Sequence, residues 1–232
     1  MDRLTFVRAA VLAVGLSALG MTAAAAQDKP FEPQVGQVGK DVVWVPSPDA
    51  LVEKMLDMAK LTPADFLIDL GSGDGKTVIA AARRGATALG VEFNPDMVAL
   101  SRQRARDAGV ADRATFREGD LFEADLSKAT VITMFLLPDI NLKLRPSLLD
   151  LAPGTRIVSN SFTMGEWEED ASERVTEGCT SWCTALLWIV PAKVDGRWTV
   201  GGETLTLNQE FQMISGTLGS TPISNGDRKS VV

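Results

Sequence analysis

Short apolar runs alternate with amphipathic stretches through the middle of this chain of 232 residues. Five apolar or β-branched runs predict strands, at 66–70, 87–92, 114–118, 130–135 and 155–159. Four stretches with apolar residues on one face predict helices, at 49–60, 75–84, 95–108 and 139–151. Strands that alternate with helices through short turns predict an α/β fold with a mainly parallel sheet and right-handed crossovers.

The pattern changes after Trp167, where short β-type segments follow one another without helices between them. Four of these segments predict strands, at 174–177, 184–194, 197–200 and 203–207. Asp195-Gly196 predicts a hairpin turn, and Asn225-Gly226 predicts another one near the end of the chain. We therefore expect a small β appendage after the α/β region.

The N-terminus has the layout of a bacterial secretory signal. Two arginines precede an apolar stretch from Ala9 to Met21, and Ala23 to Ala26 offers a cleavage site after Ala26. An uncleaved anchor over residues 9–26 is the alternative, although a membrane-spanning helix needs about 20 strongly apolar residues. The sequence therefore predicts a periplasmic or otherwise exported protein.

Composition narrows the possible chemistry. The net charge is −7 and no basic stripe with interleaved aromatic residues is present, which makes nucleic acid an unfavourable partner. The chain has no histidine, which excludes Ser-His-Asp and Cys-His catalysis and any histidine-bound metal. It has no tyrosine either, so no phenol can act as an acid or base.

The two cysteines, Cys179 and Cys183, are four residues apart. This spacing does not match the C-x-x-C redox motif, and the other ligands of a metal site are absent from the sequence nearby. A structural disulfide fits an oxidising compartment, and two unpaired thiols are the alternative.

The glycine-rich segment Asp69-Leu70-Gly71-Ser72-Gly73-Asp74-Gly75 begins at the end of the first predicted strand and continues into the turn after it. A dinucleotide fingerprint needs a small residue where Lys76 stands, and a P-loop needs its glycine at that same position. NAD, FAD, ATP and GTP are therefore disfavoured, and an ordinary strand-turn-helix remains possible. Two more acids, Glu92 and Asp120, stand at or just after the ends of the next two strands. Carboxyl ends of parallel strands meet at one edge, so these acids fit one crevice.

With its flanks, D-x-G-x-G-x-G resembles motif I of the class I S-adenosylmethionine (SAM) methyltransferases. The resemblance implies a Rossmann-like sheet that is mainly parallel with an antiparallel last strand, and SAM as cofactor. It implies that Glu92 binds the ribose and Asp120 the adenine amino group. The implied cofactor site comprises Asp69, Gly71, Ser72, Gly73, Asp74, Gly75, Glu92, Phe93, Asp120 and Leu121.

Residues 43–168 also resemble small lysine methyltransferases that modify mitochondrial and archaeal membrane proteins. The N/D-P-P-Y/F motif that marks base amino groups or glutamine as acceptors is absent. The resemblance implies that Pro138, Asp139 and Asn141 border the target nitrogen, with Phe135, Phe162 and Trp167 as walls. Lysine, a small thiol or amine, and a quinone-like or lipid hydroxyl all remain open as acceptors.

The predicted organisation is a signal peptide (1–26), an extended arm (27–47), a SAM-binding methyltransferase domain (48–194) and a β appendage (195–232). We expect SAM and an unidentified acceptor as partners, without nucleic acid or metal, and membrane contact only through an uncleaved leader. An exported, non-catalytic scaffold that keeps the fold is the alternative function, because SAM is made in the cytoplasm.

Overall fold

The computed structural model describes residues 31–227, so the predicted signal peptide lies outside the described residues. Helices within that range are α1 Asp49–Met58, α2 Lys76–Arg83, α3 Pro95–Asp107 and α4 Pro138–Leu149. The strands of the main sheet are β1 Phe66–Leu70, β2 Thr87–Glu92, β3 Ala114–Glu118, β4 Val131–Met134, β5 Arg156–Asn160, β6 Ala171–Arg174 and β7 Thr184–Ile189. The mixed α/β architecture is therefore confirmed.

The main sheet has the strand order β3-β2-β1-β4-β5-β7-β6. Strands β1 to β5 pair in parallel, and β7 is antiparallel to both of its neighbours. Since β6 is antiparallel to β7, it runs in the direction of β5, so β7, the last strand of this sheet along the chain, is the reversed one, and the expected antiparallel last strand is confirmed. The chain moves outward from β1 to β3 and then restarts at β4 on the other side of β1. This reversal opens a crevice at the carboxyl ends of β1 and β4.

Alternate residues of the central strands enter two different cores. Leu67 and Val131 belong to a core shared with α1, α2 and α3, whereas Ile68 and Ile132 belong to a second core that includes α4. Successive side chains of a strand point to opposite faces, so a sheet covered on both sides needs continuous apolar runs. This explains why the central strands are predominantly apolar in the sequence.

A second, antiparallel sheet has the order β11-β10-β9-β8. Its strands are β8 Gly196–Val200, β9 Glu203–Glu210, β10 Met213–Leu218 and β11 Thr221–Asp227. The expected turn at Asn225-Gly226 is wrong, because the backbone there lies within β11. The turn instead falls at residues 219–220, where Gly219 has the left-handed φ of +56° that such turns favour. The strands expected at 174–177 and 184–194 are likewise displaced or shortened, to β6 and β7.

Phe211, in the turn between β9 and β10, connects the second sheet to the main domain. Its ring stacks on buried Trp167 with centroids 6.2 Å apart, and Arg145 lies 5.3 Å from its centroid. Trp167 in turn contacts Trp188 of β7 and accepts a hydrogen bond from the Trp188 indole at its carbonyl. The aromatic contact thus extends from the turn into the second core.

Replacing Phe211 with alanine should lower the free energy of unfolding by about 2 kcal/mol, since it removes an aromatic contact and its buried area. Chemical denaturation measures the change. Met213→Ala, at an exposed side chain of the same sheet, is the control and should change stability by less than about 0.5 kcal/mol. Equal effects of the two substitutions would contradict the anchoring role of Phe211.

Candidate functional site

The glycine-rich turn lies between β1 and α2 and is fastened to β2. The backbone amides of Gly71 and Ser72 both donate to the carbonyl of Val91, at 2.9 and 3.0 Å. Gly75 caps α2 with a φ of +79°, and a Cβ there would lie 2.7 Å from the Cβ of Ser101. Only glycine fits this position, because any side chain would collide with α3.

Glu92, at the end of β2, joins this turn to the start of α3. Its Oε2 accepts from the amide of Gly73 and its Oε1 from the amide of Asn94, both at 2.9 Å. Asn94 then caps α3, because its side chain accepts from the amide of Asp96 at 2.9 Å. Each carboxylate oxygen keeps a free lone pair, so a fixed Glu92 can accept from two neighbouring hydroxyls, as expected for ribose.

Asp69 lies at the end of β1 beneath the turn and is buried. Its Oδ1 accepts a 2.6 Å hydrogen bond from the hydroxyl of Thr133, its register partner on β4. Burial raises the pKa of Asp69 to about 7; the Thr133 bond opposes this rise, and the charges of Asp74 and Glu92 add to it. A bound cation would therefore favour the ionised form of Asp69.

Asp74 and Asp120 differ from Asp69 because each forms an ion pair. Asp74 pairs with Arg104 of α3, and Asp120 pairs with Lys40. The hydrogen bond from Lys40, with one from the amide of Phe122, holds the pKa of Asp120 below its usual range. The ion pair thus joins Asp120 to the segment that carries Lys40. The role of Asp120 in binding adenine stays a prediction.

The predicted arm contributes residues that the sequence motifs did not indicate. Residues 37–47 line the same cavity as the glycine-rich turn, with Trp44 packed directly against Gly73. The Trp44 amide donates to the carbonyl of Gln37 at 2.9 Å, and the Lys76 ammonium donates to the carbonyl of Ser47 at 2.9 Å. Residues 42–46 are apolar in the sequence, but the sequence alone does not identify what they contact across the cavity.

The structure brings almost all of the predicted cofactor residues to one cavity, at the carboxyl ends of β1, β2 and β4. Its lining includes Asp69, Gly71, Ser72, Gly73, Asp74, Glu92, Phe93, Asp120 and Leu121. Gly75 is the exception, since it shapes the start of α2 and does not line the cavity.

The predicted acceptor residues are distributed differently from the expectation. Pro138 and Asp139 are exposed at the start of α4 and do not line the cavity, so their catalytic role stays a prediction. Asn141 is buried, and its amide donates to the carbonyls of Phe162 and Thr163 at 3.1 and 3.2 Å. The Asn141 amide therefore holds this loop, and its place beside the target nitrogen stays a prediction.

The aromatic walls need one correction as well. Phe135 lines the cavity and its ring stacks on Phe162 with centroids 6.0 Å apart. Trp167 is fully buried between Trp188 and Phe211, so the expectation that it forms a wall is wrong. The Trp167 indole is part of the second hydrophobic core.

The charges of the cavity fit SAM, which supplies a methyl group on a positively charged sulfur. Asp69 and Glu92 have no cationic partner within residues 31–227, and both face a cavity whose lining includes five carboxylates in total. Asp69 suits the α-ammonium and Glu92 the ribose hydroxyls, whereas a phosphate ligand would be repelled. Over the same described residues, no cluster of acids and cysteines has the arrangement of a metal site.

Comparisons with known proteins support a SAM-dependent methyltransferase. The sequence model of the ANTKMT methyltransferase domain matches residues 69–171. A protein-lysine N-methyltransferase of Saccharolobus islandicus is 40% identical over 140 residues, which are 59% of this chain and 87% of the relative. The adenine nucleotide translocase lysine N-methyltransferase of Mus musculus is 34% identical over 119 residues, 50% of this chain and 52% of that protein. This chain thus spans only about half the length of the mouse relative.

A solved structure from Salinibacter ruber gives a similar result. It is an RNA methyltransferase in complex with S-adenosyl-L-homocysteine and is 49% identical to this chain. The match has a TM-score of 0.61 and covers 65% of this chain and 96% of the other.

Gly73→Ala should weaken SAM binding at least about tenfold, measured by isothermal titration calorimetry. The new Cβ would lie 2.6 Å from the Trp44 indole nitrogen, so Trp44 must leave its place in the cavity wall. Gly109→Ala is the matched control: Gly109 also has a left-handed φ, of +68°, but no atom within 4 Å of an added Cβ. Both variants carry similar backbone strain of about 1–2 kcal/mol. Equal losses of SAM affinity would attribute the effect to strain and contradict the packing explanation.

The ionisation of Asp69 predicts a pH dependence of SAM binding. With a pKa of about 7, the carboxylate fraction and hence the affinity should rise about fivefold between pH 6 and pH 7. Thr133→Val removes the bond that favours the carboxylate and should move this rise to higher pH. Asp69→Asn should bind SAM weakly, without the rise. A wild-type affinity that is flat over this range would contradict the assignment of Asp69 to the α-ammonium.

Ionisation of Asp69 should strengthen SAM binding but lower the stability of the unliganded protein. The unfolded chain ionises Asp69 near pH 4, whereas the folded protein holds the proton until about pH 7. The unliganded protein should therefore lose stability as pH rises from about 4 to 7, with no further loss from this group above that range. Denaturation curves of wild type and Asp69→Asn isolate this contribution, because the variant lacks it.

Proposed function

Because this chain belongs to the class I SAM-dependent methyltransferases that carry the ANTKMT methyltransferase domain, we propose that its acceptor is the side-chain amine of a protein lysine. The enzyme class and the cofactor SAM that the sequence suggested are thereby confirmed. The single observation that carries the lysine proposal is the archaeal protein-lysine N-methyltransferase, most of whose length this chain covers. The exported, non-catalytic scaffold has no support.

The chemistry of amine methylation suits the residues of this chain. The neutral amine forms a bond to the methyl carbon while the carbon–sulfur bond breaks and its electron pair stays on sulfur, after which the new ammonium releases a proton to solvent. The sulfonium is already activated, so the protein has to align the two reactants and exclude water. An apolar acceptor side with Phe135 and Leu136 on the cavity wall supports this role and needs no histidine or tyrosine.

An RNA acceptor is the second candidate, because the similar protein from Salinibacter ruber is described as an RNA methyltransferase. The net charge of −7 opposes it, since RNA binding draws most of its affinity from basic side chains. A protein rich in lysine would be attracted by the same charge. The charge balance therefore favours protein over RNA.

Export remains part of the proposal. The leader-like sequence of residues 1–26 supports it, as does the disulfide between Cys179 and Cys183, whose Cα atoms lie 5.8 Å apart. Among the residues described, no helix has the length and apolar character needed to cross a bilayer. Mass spectrometry of the N-terminus of the protein isolated from cells should find a chain that begins near Gln27. An intact Met1 would contradict cleavage.

The lysine acceptor is tested with radioactive methyl-SAM and three probes: poly-L-lysine, bacterial membrane and soluble proteins, and total RNA. Label should enter protein, and acid hydrolysis should release it as methyl-lysine. Glu92→Ala should reduce labelling at least about tenfold, because it frees both the Gly73 and Asn94 amides. Glu118→Ala is the matched control, since Glu118 pairs with Glu92 in register but is exposed on β3 outside the cavity. Label in RNA, or in protein residues other than lysine, would overturn the proposal.

A further inference from the structure

Three aromatic side chains from different parts of the chain pack together beside the cofactor cavity. The Phe135 and Phe162 centroids lie 6.0 Å apart, and Trp182 lies 5.0 Å from Phe162 and 6.1 Å from Phe135. We call these three residues the aromatic wall. The rings contact one another, so they form one continuous surface and do not enclose a box.

The aromatic wall leads from the cofactor to the outside of the protein. Phe135 follows β4 directly and lines the cofactor cavity, and Phe162 follows β5. Trp182 precedes β7 and is 46% exposed, whereas Trp167 and Trp188 are fully buried. The wall therefore begins where the methyl group is presented and ends at an indole that an incoming chain can touch.

Trp182 is held in a short covalent ring. The disulfide between Cys179 and Cys183 closes a loop in which only three residues lie between the cysteines. Cys183 is buried, and its carbonyl accepts from the amide of Val175, which fixes this end of the loop to the chain after β6. Trp182 itself has a φ of +56°, a conformation that costs about 1–2 kcal/mol for a bulky residue. A strained, exposed tryptophan has no evident benefit for the core, and such features are typical of binding sites.

We propose that Trp182 is a specificity-determining residue that, with Phe162 and Phe135, receives the lysine side chain of the acceptor. This inference rests on the proposed lysine methylation. The flat apolar surface suits the four methylenes of lysine, and the indole face attracts the positive charge that develops on nitrogen. Methylated ammonium groups are less hydrated than ammonium and bind aromatic faces well, so the wall favours second and third methylations of the same nitrogen. The disulfide keeps Trp182 in position for this contact.

The test uses the full-length protein with poly-L-lysine and SAM. Trp182→Ala should raise the KM for poly-L-lysine about tenfold, change kcat less, and shift the product from trimethyl-lysine toward monomethyl-lysine. SAM affinity should stay within about twofold of wild type, because Trp182 does not line the cofactor cavity. Trp182→Phe keeps an aromatic face, so its KM and its product distribution should stay close to those of wild type.

Trp198→Ala is the matched control, since Trp198 is equally exposed, at 49%, but lies on β8 of the second sheet. It should leave KM and the product distribution unchanged. If Trp182→Ala and Trp198→Ala behave alike while wild type methylates lysine, the inference fails and the proposed function stands. If wild type forms no methyl-lysine from any protein probe, the proposed function fails and the inference falls with it.

A double Cys179→Ser, Cys183→Ser variant tests the role of the disulfide. It should raise the KM for poly-L-lysine several-fold, and reduction of wild type with dithiothreitol should do the same. Dithiothreitol should have no effect on the double variant, which controls for other actions of the reductant. A double variant with wild-type KM and product distribution would overturn the positioning role of the disulfide.

Discussion

The parallel pairing of β1 with both β2 and β4 is the constraint on which the site depends. Because β1 has a neighbour on each side, its carboxyl end is the place where the two halves of the sheet diverge. Asp69 meets Thr133 across one pairing, and the glycine-rich turn meets Val91 across the other. A change in strand order would separate these groups even if every residue were kept.

Glu92 fixes the position of the glycine-rich turn relative to the start of α3. It is one carboxylate that holds the amides of both the glycine-rich turn and the start of α3, so its orientation is set before any ligand binds. Asp74 and Asp120 form ion pairs with Arg104 and Lys40, whereas Asp69 and Glu92 have no cationic partner in the described part of the chain. The cavity therefore keeps two carboxylates that no side chain of the described residues neutralises.

The acceptor side is organised by packing more than by ionisable groups. Asn141 is buried and holds the loop at Phe162, whereas Trp167 supports the contact with the second sheet. The aromatic residues that remain near the cavity offer an apolar path, which suits a reaction in which the nucleophile needs alignment and dehydration. The proposed lysine acceptor and the proposed role of Trp182 both depend on this apolar character.

The sequence by itself determined the order of strands and helices, because the central strands of a sheet covered on both faces are predominantly apolar, which is visible in the chain. It also indicated residues that line the cavity, since Asp69, Gly73 and Glu92 stand at fixed positions relative to strand ends. Only the tertiary structure decided that the arm with Trp44 covers the cavity, that Asn141 and Trp167 are buried, and that Trp182 joins Phe135 and Phe162. These contacts join residues far apart in sequence, and local patterns carry no information about which distant side chains meet.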